Sequence, residues 1–203
     1  MLFEALSIIK DELQAYFKTL GDTGAEVVLE NISLLETAND ATLLDKVIIT
    51  LVNIEEESTL KNLSNVVKVN GGISYMEPPV HLNLYLLISA NYPGGTPPRN
   101  NYTLALNRIS TVIQFFQSHK TFSLKDAPNA TLAQNIENLD NPDFVDLLLS
   151  MELYTLTFEQ INHLWGSLGG KQLPFVMYKT RLVKIQDKLR KQAPVIEEIH
   201  ENG

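Results

Sequence analysis

The run Gly166-Ser167-Leu168-Gly169-Gly170-Lys171 is the first place in this 203-residue chain where residue spacing could do chemistry. Glycine amides ahead of a lysine can cradle a phosphate, but a P-loop needs about four residues between its first glycine and Gly-Lys, then Ser or Thr. Here three intervene and Gln172 follows. The predicted order is also helix then strand, the reverse of a P-loop. Metal chemistry fares no better. His81, His119, His163 and His200 are scattered, and Glu197 with His200 supplies only one copy of a pair that a di-iron bundle uses twice. Glu55-Glu56-Glu57 cannot converge on one ion from a strand, because neighbouring side chains point to opposite faces. Asp143 and Asp146 follow Asn141-Pro142 and suit a capped turn better than an acid pair held across a cleft. No Gly-x-Ser-x-Gly elbow occurs, and the absence of cysteine excludes thiol nucleophiles, disulfides and zinc-thiolate sites. The residues therefore point to no catalytic, cofactor or metal site.

Charge narrows the partners further. Acidic residues number 24 against 16 basic ones, a net charge of −8 that repels phosphate-rich surfaces and argues against nucleic acid or an anionic membrane as the main partner. The one basic cluster, Lys179, Arg181, Lys184, Lys188, Arg190 and Lys191, is diluted by Asp187, Glu197, Glu198 and Glu201. No apolar run nears the ~20 residues that span a bilayer, so no direct membrane insertion is expected. The start, Met1-Leu2-Phe3-Glu4, lacks a basic leader, which points to synthesis and folding in the cytoplasm. The sequons at Asn31, Asn62, Asn101 and Asn129 then read as chance.

The elements that would position any site follow from periodicity. Leu2, Leu6, Ile9, Leu13, Tyr16, Phe17 and Leu20 form a helical stripe ended by Gly21. Strands are expected at Glu26 to Ile32 and, from its β-branched run, at Lys46 to Ile54. Ser58 to Pro79 is polar, with a Val-Val-Lys-Val segment and an Asn70-Gly71-Gly72 hairpin turn, and reads as a protruding arm. Val80 to Ala90 is a long strand and Tyr92 to Pro98 a loop. Ala105, Ile109, Val112, Ile113 and Phe116 mark a second amphipathic helix from Asn101 to His119. Short strands are expected near Phe122 and within Leu132 to Leu139, and a strand with two apolar faces at Leu147 to Leu156. A short helix at Phe158 to Leu168 and a final strand at Phe175 to Ile185 complete the order. Helices and strands grouped this way predict an α+β fold, with a mixed, largely antiparallel sheet flanked by two amphipathic helices and a short third. Residues 1–186 read as one domain and 187–203 as a charged tail.

Several of these segments resemble one family in their order. They are the N-terminal helix, Val47-Ile48-Ile49-Thr50-Leu51-Val52, the proline-led strand Pro78-Pro79-Val80-His81-Leu82-Asn83-Leu84, and the helix through Phe115-Phe116-Gln117. Leu164-Trp165-Gly166-Ser167-Leu168-Gly169-Gly170-Lys171 with Pro174 and Tyr178 closes the set. The chain is similar to the cap, or tail-terminator, proteins of contractile injection systems, the phage-tail-like particles of the antifeeding-prophage type. The resemblance covers residues 2 to about 186. Many members carry a further C-terminal extension, which this chain does not show.

That resemblance implies a tail-terminator fold and a structural, non-enzymatic role. The implied assembly is a homo-oligomer, a hexameric ring on the last layer of inner tube protein at the end distal to the baseplate. It would contact the sheath protein and halt growth. The particle would assemble in the cytoplasm and be open to extracellular release. A closed six-fold ring needs two different complementary patches per subunit, and an exposed sheet edge could accept a sheath arm by strand addition. Val66, Val67, Asn70, Gly71, Gly72 and Tyr75 of the arm are the expected interface, with an ordinary surface loop as the competing reading. Trp165 is expected to anchor the short helix, Gly169 and Gly170 to serve backbone geometry, and Lys171 to favour the helix C-terminus by charge. Two alternatives stay open: another tail-completion or adaptor subunit of the same machine, and a small-molecule enzyme with an unmarked pocket.

Overall fold

A computed structural model of the chain describes residues 2–36, 43–60, 66–69, 72–75, 79–93, 101–134, 147–169, 171–185 and 191–192. Asn70, Gly71, Gly170, Asp143, Asp146, Glu197 and His200 lie outside the described residues, as does most of Tyr92 to Pro98 and of the 187–203 segment.

The central element is β5 (Val80–Asn91), paired antiparallel with β2 (Lys46–Glu56) on one side and β8 (Phe175–Ile185) on the other. β1 (Glu26–Leu29) adds in parallel outside β2, while β7 (Leu148–Leu153) and then β6 (Thr121–Ser123) add antiparallel outside β8. The result is a six-stranded sheet of order β1-β2-β5-β8-β7-β6.

Both faces of this sheet are covered, which is why β5 reads as an almost unbroken apolar run. Alternate residues divide between two cores. Leu84, Leu86 and Ile88 pack with Val47, Ile49 and Tyr178 under α1 (Leu2–Thr19) and α2 (Asn101–Ser118). Leu87 and Met177 face the other way, against Ile32 and Trp165 of α3 (Phe158–Ser167). Burial of Ile8, Ile9, Leu13 and Phe17 docks α1, each side chain contributing about 1.5–3 kcal/mol. Two carboxylates on the outer side of α1 add polar fixings. Asp11 accepts from the Thr131 hydroxyl at 2.8 Å, and Glu12 from the Asn129 amide at 2.9 Å. They hold the 3-10 turn Thr131–Gln134 in place.

Several sequence expectations are corrected. The strand expected to reach Ile32 stops at Leu29 because Thr50 diverts the chain: its hydroxyl donates to Glu30 O at 2.6 Å and accepts from Ile32 N at 3.2 Å. The chain then enters a 3-10 turn, Ile32–Glu36, beneath the second face. Leu20 lies past the helix end and Ile113 on the outer side of α2, and both are exposed, while Arg108 and Phe115 are buried instead. β7 has one apolar face, not two, since Leu149 and Met151 are buried and Leu148 is exposed. The first part of Leu132 to Leu139 is the 3-10 turn, its backbone closed locally by Ala133 N–H to Ala130 O at 2.9 Å.

A second, three-stranded sheet holds the arm. β3 (Val66–Val69) and β4 (Gly72–Tyr75) form a hairpin with Val69 opposite Gly72. β8 is not the last strand, because β9 (Lys191–Gln192) pairs with Ser74 and Tyr75 of β4. The β5–β8 pair ends at Val80 opposite Ile185, and the same two chain segments pair again as Tyr75 opposite Lys191. The arm is thus a continuation of the central strand pair. Register shifts between Leu51 and Asn53 and between Leu82 and Leu84 fall at this end of the sheet, where bulges bend strands and re-aim side chains.

Candidate functional site

The end of the second face beyond α3 carries charge instead of apolar side chains. Glu55 of β2 accepts a hydrogen bond from the Tyr85 hydroxyl and another from the Lys179 ammonium at 3.3 Å. Lys179 also lies over the Tyr85 ring, 5.2 Å from its centroid, and Tyr154 meets that ring edge-on at 5.0 Å. Beside them Glu57 accepts from the Asn83 amide at 3.0 Å and from the Thr59 hydroxyl at 2.8 Å. Arg181 pairs with Glu152 at 3.0 Å. The three-carboxylate run therefore does not end the strand as a simple solvated cap: β2 continues through Glu56, and Glu55 and Glu57 are pinned to β5.

These contacts push each group away from neutrality. The Tyr85 hydroxyl, then Lys179, hold Glu55 below the usual carboxylate range. The bond to Glu55 raises Tyr85, and bonds to Tyr85 and Glu55 raise Lys179. Asn83, followed by Thr59, holds Glu57 at about 2. A general acid or base works best with its pKa near the operating pH. At neutral pH Glu55, Glu57 and Lys179 are therefore charged and Tyr85 is a neutral donor, in a network that bridges β2, β5 and β8.

A cavity of about 310 Å³ opens beside this network, lined among others by Val52, Tyr85, Tyr154, Gln160 and Met177. A second, of about 520 Å³, lies along β2 between Leu6 of α1 and Leu164 and Leu168 of α3. Among the described residues no three His, Asp or Glu side chains gather closely enough to hold a metal ion. No described helix is long and apolar enough to cross a membrane.

The tryptophan block lies on the second face. α3 starts with a capping box: Thr157 Oγ1 accepts from Gln160 N at 3.2 Å, and Gln160 Oε1 accepts from Thr157 N at 2.9 Å. Trp165 is buried and meets the Phe175 ring edge-on at 5.4 Å. At the helix end Leu168 N donates to Leu164 O at 3.1 Å, and Gly169 takes φ 106°, a left-handed value that glycine adopts without a Cβ clash. Lys171 is exposed beyond it. Pro174 O accepts from Ala90 N at 3.0 Å, which starts the β5–β8 pairing. Tyr178 is on the opposite face, its ring 4.5 Å from that of Phe116, and burial pushes its hydroxyl up to about 12. The block is thus split between two cores. The arm residues Val66, Val67, Gly72 and Tyr75 lie on β3 and β4 of the small sheet.

Sequence reading missed the Glu55–Tyr85–Lys179 network and the buried Arg108. Their partners are 30, 124 and 86 residues away in the chain, so no local spacing announces them.

The family model described as the Pvc16 N-terminal domain matches residues 4–198. Among solved structures, the chain is similar to the sheath/tube terminator of PVC, an extracellular contractile injection system, in its extended state. The identity is 14% and the TM-score 0.57, with 100% of this chain and 63% of that chain covered. It is also similar to the tube-terminating cap of the anti-feeding prophage, at 13% identity and TM-score 0.44, over 78% of this chain and 49% of that one. No curated protein matches. The chain therefore spans under two thirds of the length of either solved relative. The first likeness shows that it has the α+β fold of a tail terminator. With nearly its whole length matched by one family model, the chain belongs to the Pvc16 N-terminal domain family.

Proposed function

We propose that this chain is the terminator domain of a contractile injection system. It forms a hexameric ring on the last layer of inner tube, meets the last layer of sheath, and stops growth of both. The observation that carries this reading is the family match over residues 4–198, supported by the fold shared with a sheath/tube terminator. The task is one of surfaces: a subunit must fit its ring neighbours and the tube end while offering nothing to a further tube layer. Residues 1–186 act as the terminator domain, and the 187–203 segment lends Lys191–Gln192 to the arm. The arm, with Val66, Val67, Gly72 and Tyr75 on its hairpin, is the neighbour-binding element. Charged groups held far from neutral pKa values beside the smaller cavity support a structural role over catalysis. Assembly takes place in the cytoplasm before any release of the particle.

The test is the mass of the purified protein by light scattering behind size exclusion, alone and with the inner tube protein of the same particle. A six-subunit species, free or formed only on tube ends, is expected, together with tubes of uniform length by electron microscopy. A monomer that leaves tube growth unchanged overturns the proposal.

A further inference from the structure

We propose that the chain carries both halves of a strand-addition joint: the open edge of β2 over Leu51 to Glu55 receives β3 of a second copy. The inference rests on the ring reading above and names the surfaces that would close the ring.

The receiving half is a sheet edge that no described strand covers. β1 pairs with β2 only from Lys46 to Ile49, and the last bond across that seam is Glu30 N to Ile49 O at 3.2 Å. Thr50 then turns the neighbouring chain away through its bonds to Glu30 O and Ile32 N. From Leu51 onward β2 stays paired with β5 on its inner side, and among the described residues no strand flanks its outer side. Such an edge offers a row of N–H and C=O groups to any added strand. The cavity of about 520 Å³ opens at its start, lined on β2 by Ile49 to Val52, with Leu6 of α1 on one side of the sheet plane and Leu164 and Leu168 of α3 on the other. An added strand points its side chains alternately to both faces, so a trough walled on both faces fits it.

The donating half lies in the same chain. Among the described residues β3 is the outermost strand of the small sheet, paired with β4 on one side only. Its sequence, Val66-Val67-Lys68-Val69, is β-branched with a single charge. Its four residues fit within the open stretch of β2, which runs from Leu51 to Glu56. At a net charge of −8, unspecific self-association is opposed, so a joint needs local complementarity. Lys68 provides the positive charge and Glu30, exposed at the rim of the trough, the negative one. Donor and acceptor are different elements, so the contact can run head-to-tail, the type that generates a ring when the rotation closes.

The absence of native cysteine makes the test direct. Chains carrying Asn53→Cys or Val67→Cys are mixed, with and without inner tube protein, and oxidised gently. Residues opposite each other on adjacent strands lie about 4.5–5.5 Å apart, within disulfide reach. The expected result is a cross-linked heterodimer of the two chains and, for the double variant, a ladder ending at the ring mass. Cross-linking should fall when the second cysteine moves to position 68, one step out of register along the strand. Lys68→Glu should weaken assembly about tenfold in dissociation constant, and Glu30→Lys combined with it should restore assembly. A cross-link formed only within one chain means that the arm docks on its own β2 and overturns the proposal. So does a cross-link only to tube or sheath protein. Ring mass with no cross-link at positions 66–69 overturns the joint and leaves the ring reading standing. Monomers under all conditions overturn both.

Discussion

Arg108, buried in α2, forks its guanidinium onto Asp22 with bonds of 2.9 and 2.8 Å across 86 residues of chain. Tyr92, at the end of β5, packs its ring 4.4 Å from the same group. One side chain thus ties the turn after α1, the helix above the sheet and the exit of the central strand. Burial is the largest single influence on Arg108 and would deter a charge there, but the bond to Asp22 and the attractions of Tyr92 and Asp22 together outweigh it, and the guanidinium is held more firmly protonated.

The first prediction concerns acid. The bond from Arg108 is the main cause holding Asp22 below the usual carboxylate range. Its folded pKa lies under its unfolded value of about 3.9, so the stabilisation is present above that pH and is lost as pH falls through the folded value. Asp22→Asn should lower stability at pH 7 by about 1–2 kcal/mol, discounted for the carboxylate's partial exposure. It should also flatten the acid side of the stability curve below about pH 4. Urea melts across pH measure both, and an unchanged acid arm would refute the assignment.

A second prediction uses the single tryptophan. Trp165→Ala should cost about 3–5 kcal/mol, because Ile32, Leu87 and Met177 cannot collapse into the space left. Trp165→Phe should cost less. The indole N–H finds no acceptor among the described residues, so its removal sacrifices area and no hydrogen bond. Urea melts followed by circular dichroism compare the two, since fluorescence is lost with the residue. Equal costs for the two variants would count against it.

Two glycines three residues apart should respond with opposite sign. Gly169 has φ 106°, where a Cβ is strained, and Gly169→Ala should destabilise by about 1–2 kcal/mol. Gly166 lies in α3 with open space around its Cα, and Gly166→Ala should stabilise by about 0.5 kcal/mol. Thermal melts of both variants decide the matter.

The clamp between α1 and the 127–134 turn gives a local prediction. Hydrogen bonds from Lys10 and Thr131 overcome the effect of burial and keep Asp11 below its ordinary value. Replacing Asp11 and Glu12 by Asn and Gln should accelerate amide exchange across residues 127–134, by about tenfold for each 1.4 kcal/mol of clamp lost. Exchange across β5 should stay unchanged.

What could be read in advance depended on range. α1 from Leu2 and α2 from Asn101 follow from apolar residues spaced three and four apart, and the helix at Phe158 ends at its glycines, because helical period and termination are local properties. β5 and β8 were readable from apolar composition and β2 from β-branching, and β2 proved two residues longer than expected. The exposed Ile113 and the buried Arg108 were not, because an amphipathic stripe marks a face of a helix without saying how widely its neighbours cover it. The strand expected up to Ile32 was cut short by a hydroxyl on Thr50, 18 residues away.

The sequence by itself determined the order of the three helices and the long strands, the α+β class and a hairpin at Val66 to Tyr75, since each rests on patterns within a few residues. Only the tertiary structure decided that the chain after β8 returns as β9 to hold that hairpin, and that among the described residues no strand flanks β2 beyond Thr50. It also brought Glu55, Tyr85 and Lys179 together. These depend on which distant strands become neighbours, a choice made by burying both faces of one sheet at once.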